Sequence, residues 1–223
     1  ASFREDATGW AKIAPRLYVW DYVTNFGNYI MPHPNLDVLK PNIKFFIRNN
    51  VKGIFEQGNY SGGGGGEMAE LRAYLLAKLL WNPEADVEAL KRDFLEGYFG
   101  KAAQPIARYI EMIHKKVKDD NIHVHIWAGP NSPHLSDEVL AQAEALFDEA
   151  EKLAENPEIL HRVQMARLPV WYARIMRSGL PNAEKLKLLD KFMEVAGKAG
   201  IDQIREGRQV ADWERQLRAE LAK

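Results

Sequence analysis

Two short clusters in this 223-residue chain combine rings, carboxylates and an amide: Trp20, Asp21 and Tyr22 in the first, Glu56 and Gln57 in the second. An indole or phenol offers a flat apolar face to the C–H groups of a sugar together with an N–H or O–H. A carboxylate accepts hydrogen bonds from neighbouring hydroxyls. The set therefore suits carbohydrate better than a phosphate or a purely apolar ligand. Asp21 and Glu56 also form a candidate acid and base pair of the kind that glycoside hydrolysis uses at about 5 to 10 Å. Nothing in the sequence raises either pKa, so both are read as groups that position a substrate. Taken singly, the same residues have plainer roles. Trp20 reads as core, and Asp21 and Glu56 read as caps of the following helices or partners of Arg48 or Lys52.

Other chemistry-bearing residues are weaker. The glycines from Gly62 to Gly66 precede a helical pattern, as a phosphate-binding loop does, but the Gly-Lys-Ser/Thr ending is absent, and a flexible loop beside the site is expected instead. His123 and His125 fall on one side of an alternating stretch with His114 and His134 not far away, yet no acidic residue or further His stands at ligand spacing. An exposed or hydrogen-bonded pair is expected there, with no metal and no cofactor. Trp127, Trp171, Tyr172 and Trp213 read as core or interdomain packing residues, with sugar stacking as the lesser alternative.

Which elements hold these clusters? The stretches 17–22 and 51–57 are β-branched and aromatic, and read as buried strands with the clusters at their C-terminal ends. Between them lie an Asn- and Pro-rich loop over 24–35 and a helical pattern carrying Leu36, Leu39, Ile43, Phe46 and Ile47 on one face. A second helical pattern follows the glycines through Met68, Leu71, Leu75, Leu79 and Leu80, stopping at Asn82-Pro83. Two strands joined by a crossover helix are parallel, and a parallel sheet needs more than two strands. This part accordingly reads as the end of a larger α/β barrel or open sheet. From Asp86 the pattern predicts a helical bundle with helices over 87–98, 102–118, 137–154, 158–178, 182–199 and 210–221, capped near Asp86, Ser136, Asn156 and Asn182. The alternation over 122–127 suggests a short extended segment. Two domains result, 1–83 and 84–223.

Composition excludes several classes. Thirty basic against thirty-one acidic residues leave a net charge of −1, so no overall field draws nucleic acid or an anionic membrane. No cysteine is present, which removes disulfides and cysteine-held zinc. No apolar run is long enough for a membrane span. The chain opens Ala-Ser-Phe-Arg without an initiator Met or a leader, as a processed or cut start would. The remainder of the barrel is then expected on a missing segment or another chain, and a partnered rather than monomeric state goes with it.

The order Tyr18-Val19-Trp20-Asp21-Tyr22, Pro34-Asn35-Leu36, Asn42-Ile43-Lys44-Phe45-Phe46, Gly53-Ile54-Phe55-Glu56-Gln57-Gly58 and Glu70-Leu71-Arg72-Ala73-Tyr74, continuing through Asn82-Pro83, resembles a large family of uncharacterised domains from Bacteroidetes. The likeness reaches through 94–100, and the family looks related to α-glucuronidases and endo-β-N-acetylglucosaminidases. It implies the last two β/α units of a TIM (β/α)₈ barrel followed by a helical C-terminal domain. It also implies a glycoside hydrolase, periplasmic or secreted, whose principal acids lie on earlier strands. Rim roles toward a glycan fall to Trp20, Asp21, Tyr22, Glu56 and Gln57, and this segment alone is expected to be inactive. A non-catalytic carbohydrate-binding or protein-interaction module is the competing class.

Overall fold

A computed structural model describes residues 2–177 and 179–223. Its first element, α1 (Phe3–Ile13), has no counterpart in the periodicity reading. It begins with a reciprocal capping box, in which the Ser2 hydroxyl and the Glu5 carboxylate each accept the other residue's backbone N–H. Strand β1 (Leu17–Tyr22) and strand β2 (Val51–Gln57) pair in parallel, as the crossover rule requires, with Trp20 opposite Phe55, Asp21 opposite Glu56 and Tyr22 opposite Gln57. The crossover helix α2 (Leu36–Arg48) buries Leu36, Leu39, Ile43 and Phe46. Ile47, expected on that face, is exposed. Tyr18 lies across Gly53 so closely that a Cβ there would come within 2.6 Å of the ring. Gly53 thus lets an aromatic side chain lie flat across the sheet.

Helix α3 (Ala69–Trp81) follows β2, and then α4 (Val87–Phe99), α5 (Ala103–Asp119), α6 (Asp137–Leu153), α7 (Pro157–Met176) and α8 (Asn182–Ala199). Asp86, Ser136 and Asn156 accept first-turn N–H groups as expected. Asn182 does not: the cap is Pro181, and the Asn182 amide donates to the Leu221 carbonyl. The expected end of α7 at Ser178 lies outside the described residues. A hairpin of β3 (Gln203–Arg205) and β4 (Arg208–Gln209) leads into α9 (Val210–Leu221).

The alternation over 122–127 survives as alternating burial, with Ile122, Val124 and Ile126 half-buried and His123, His125 and Trp127 exposed, but no strand forms. The Ile126 carbonyl bonds to the loop after β1, accepting the Phe26 and Gly27 N–H groups, while the Ile122 N–H bonds back to Val117. The glycine run is likewise no open loop. Residues Gly62–Gly64 make a 3₁₀ turn against the C-terminus of α8, where a Cβ on Gly63 (φ +64°) would meet the Ala199 carbonyl at 2.2 Å. The Gly62 N–H donates to Asp202 at 2.7 Å, and Gly65 is buried. Only glycine combines that left-handed backbone with so close an approach.

One buried cluster runs from Val23 and Ile30 through α2 to α9, so residues on either side of position 83 share a core. Trp171, Tyr172 and Trp213 lie inside it, with Tyr172 and Trp213 packed against Phe192. No described helix is long and apolar enough to cross a membrane.

Candidate functional site

Consecutive strand residues point to opposite faces, and Trp20, Asp21 and Tyr22 are consecutive. The sheet therefore divides the five expected site residues. Trp20, Tyr22 and Gln57 share one face, together with Tyr18 and Phe55. Asp21 and Glu56 share the other.

The first face is an aromatic wall with little cover: Trp20 is 62% exposed, Phe55 54% and Tyr22 47%. The Trp20 ring meets Phe55 edge-on at 5.1 Å and Tyr22 at 6.5 Å. Its Nε1–H donates to the Gln57 Oε1 at 2.5 Å, which fixes the indole plane while its outward face stays open to solvent. Large apolar rings left half-exposed in a group mark a binding surface more often than scattered single ones do.

On the second face Asp21 and Glu56 are cross-strand partners. Neither has an ion-pair partner among the described residues, and neither caps a helix, since α2 starts from Asn35 and α3 from Met68. The plainer roles open to them in the sequence are thus not the ones they play. The Asp21 carboxylate accepts the Tyr22 N–H at 2.9 Å, and burial holds its pKa above the ordinary carboxylate value against that bond. Glu56 is pushed up to about 7, first by burial and then by the negative charge of Asp21. Its Oε2 is buried with no partner. Asp21 opens onto a cleft of about 480 Å³ between α1 and α2 that Phe3, Arg4, Lys40 and Phe45 also line.

Two βα loops continue from the strand ends, and Arg72 on α3 ties them together. Its guanidinium donates to the Asn35 side chain at 3.0 Å, the His33 carbonyl at 3.2 Å, the Glu67 carbonyl at 2.5 Å and the Glu67 carboxylate at 2.7 Å. Arg72 and Glu67 are both buried. Around them sit His33, pushed down to about 3 by burial and then by the Arg72 charge, and His134 and His114, also lowered by burial. His114 fixes the start of α2, its Nε2 accepting the Leu36 N–H at 3.0 Å while Nδ1–H donates to the Ile110 carbonyl. His123 and His125 form an exposed pair with ring centroids 6.2 Å apart, and no group of three or more metal-ligating side chains occurs among the described residues.

Beyond the strand ends the aromatic wall carries on through Phe26, Tyr29 and Tyr60, for which no site role was expected, and Trp127, for which sugar stacking was the alternative to packing. Tyr22 meets Phe26 at 5.3 Å, Phe26 meets Trp127 at 6.1 Å and Tyr29 at 5.9 Å, and Tyr29 meets Tyr60 at 5.9 Å. Trp127 and Tyr60 are exposed, so the packing role expected for Trp127 is not the one it plays. Only the aromatic density of the loop after β1 hinted at this extension.

Residues 1–111, from α1 to the middle of α5, match the model of a family described as a domain of unknown function (DUF4838). The first half of the chain thus carries a domain of an uncharacterised family, as the motif order suggests. No curated protein and no solved structure matches the chain.

Proposed function

We propose that this chain supplies the carbohydrate-facing wall of a glycoside hydrolase, with β1 and β2 as neighbouring strands of a larger parallel α/β sheet, of the TIM-barrel type. The observation that carries the reading is the Trp20 indole, bonded edge-on to Gln57 and flanked by Tyr22 and Phe55 at parallel strand ends, its face free. A ring anchored through its own N–H has lost little freedom when a sugar stacks on it. Support for a larger sheet comes from pairing. Among the described residues β1 and β2 bond only to each other, which leaves an outer edge on each, while one face is packed by helices and the other is aromatic and bare. The C-terminal strand ends are where such sheets carry their sites. Trp20, Tyr22 and Gln57 contact the glycan. Asp21 and Glu56 sit one layer behind and set the charge beneath it, and the principal acid of hydrolysis belongs to other strands.

The test is isothermal titration of the chain with gluco-, xylo-, manno- and N-acetylglucosamine oligosaccharides of two to six sugars. Binding of at least one series, weakened about tenfold or more in Trp20→Ala, is the expected result, since stacking on one aromatic ring is worth about 0.5–1.5 kcal/mol beyond its buried area. Equal binding by Trp20→Ala, or none by the unaltered chain, overturns the reading.

A further inference from the structure

Helix α2 carries Lys40, Lys44 and Arg48 at intervals of four residues, which sets three cations in one row along its surface. Arg4 on α1 joins them, since all four line the cleft of about 480 Å³ onto which Asp21 opens. Like charges at that spacing destabilise a helix, so the row calls for compensation. Part of it is local. The Lys40 ammonium donates to the Ala85 carbonyl at 2.8 Å, and Lys44 pairs with Glu84 at 2.7 Å. Arg48 lies in the last turn of α2, where the helix carbonyls favour a cation. Arg4 has the Phe45 ring, 5.2 Å from its guanidinium. Among the described residues neither arginine has a carboxylate partner.

Asp21 is the one carboxylate that lines this cleft, and it forms an ion pair with none of the four cations. A fold that used Asp21 to neutralise the row would bring them into contact. Open space separates them instead. One Asp21 oxygen accepts the Tyr22 N–H at 2.9 Å, which leaves the other for a donor in the cleft. Phe3, which is exposed, and Phe45, which is half-buried, line the same space. The volume lies within the range of small-molecule sites, which combine apolar walls with a few charged groups.

We propose that the cleft between α1 and α2 binds a small hydroxylated anion. Its acid group is held by Arg4 and the row on α2, a hydroxyl donates to Asp21, and its carbon frame lies against Phe45 and Phe3. Arginine suits such a group because its N–H donors form a fork that matches two oxygens at once. The acid is a carboxylate, a sulfate or a phosphate, the shared chemistry being an oxyanion on a hydroxylated frame. Asp21 and Trp20 point to opposite faces of the sheet. The site is therefore separate from the aromatic wall and does not rest on the carbohydrate reading of it.

The test is isothermal titration of the unaltered chain with galacturonate, galactose 6-sulfate and galactose 6-phosphate, with neutral galactose as reference. At least one of the anions binds, the strongest identifying the acid group, and galactose binds about tenfold more weakly or not at all. Arg4→Gln and Arg48→Gln each lose about tenfold, the usual cost of a hydrogen bond to a charged group, while Lys187→Gln, an exposed cation outside the cleft, loses nothing. Arg4 and Arg48 are exposed, so both variants stay folded, which their melting temperatures report. Acetate, methyl sulfate and methyl phosphate carry the same acid groups without hydroxyls. The unaltered chain prefers the sugar to its simple counterpart, and Asp21→Ala narrows that preference several-fold. A preference that Asp21→Ala leaves intact, arginine variants that bind as before, equal binding of galactose, or no binding of any of the three anions overturns the proposal. None of these results depends on the oligosaccharide titrations of the Trp20 wall.

Discussion

Two pairs of ionisable side chains, one across the strand ends and one joining the loop after β2 to helix α3, obey opposite rules. Glu67 and Arg72 are buried with opposite charges, and the guanidinium ties Glu67 of one βα loop to His33 and Asn35 of the other. Asp21 and Glu56 carry like charges, half-buried, with no cation closing on them and one oxygen left bare. Burial costs a charge several kcal/mol unless a partner and hydrogen bonds offset it. The first pair meets that condition and its product is rigidity. The second does not, and its product is a carboxyl that keeps its proton to an unusually high pH. A fold that needed only stability would have no reason to keep the second pair.

Breaking the first pair carries the largest expected effect. Arg72→Met strands the Glu67 charge and frees both loops, and urea unfolding should report a loss of about 3–5 kcal/mol. Adding Glu67→Gln to it should recover part of that loss, because no bare charge then remains. A loss below 1 kcal/mol for the single variant would equate the two pairs.

Acid comes next. The folded-state pKa of His33 is near 3 against an ordinary 6.5, so the unfolded chain binds a proton more readily. Stability is full above about pH 6.5 and declines as pH falls toward 3. His33→Asn should flatten that limb of a plot of unfolding midpoint against pH.

Glu56 runs the other way. Its folded pKa, about 7, exceeds the ordinary 4.5, so its contribution is full below 4.5 and is lost as pH rises through 7. Glu56→Gln should raise the melting temperature at pH 8 and leave it unchanged at pH 4, and Asp21→Asn should bring the Glu56 titration, followed by NMR, down toward the ordinary range. An equal shift at both pH values would show that Glu56 is not neutral where the pair predicts it to be.

The smallest effect is expected on the bare face. Trp20→Ala removes a half-exposed ring, and its stability cost should stay within about 0.5 kcal/mol, typical of surface substitutions, despite the loss of sugar binding.

Much of this was legible in the chain itself. Both strands, their parallel pairing, α2 and the bundle helices follow from apolar spacing and from caps such as Asp86 and Asn156. Helix α1 escaped because its apolar residues, Phe3, Trp10 and Ile13, face solvent and build no periodic core stripe, although Ser2-Phe3-Arg4-Glu5 spells a capping box. The division of the site into two faces was also readable, since adjacent residues of a strand cannot share one. What could not be read is the junction of Phe26, Tyr60, Trp127 and Glu206. Local pattern contains no signal for residues that meet only after distant helices have packed, and strands as short as β3 and β4 have no period to detect.

The hairpin bonds to Phe26 and Tyr29 also fix an order of events. The segment from β1 to β2 is made well before Ile204 and Glu206, and the loop after β1 waits for them. Closing so long a stretch is slow compared with local helix formation. The wall of rings therefore takes its final shape only after the hairpin that holds its loop has been made, and until then the growing chain displays an apolar surface that a chaperone would find.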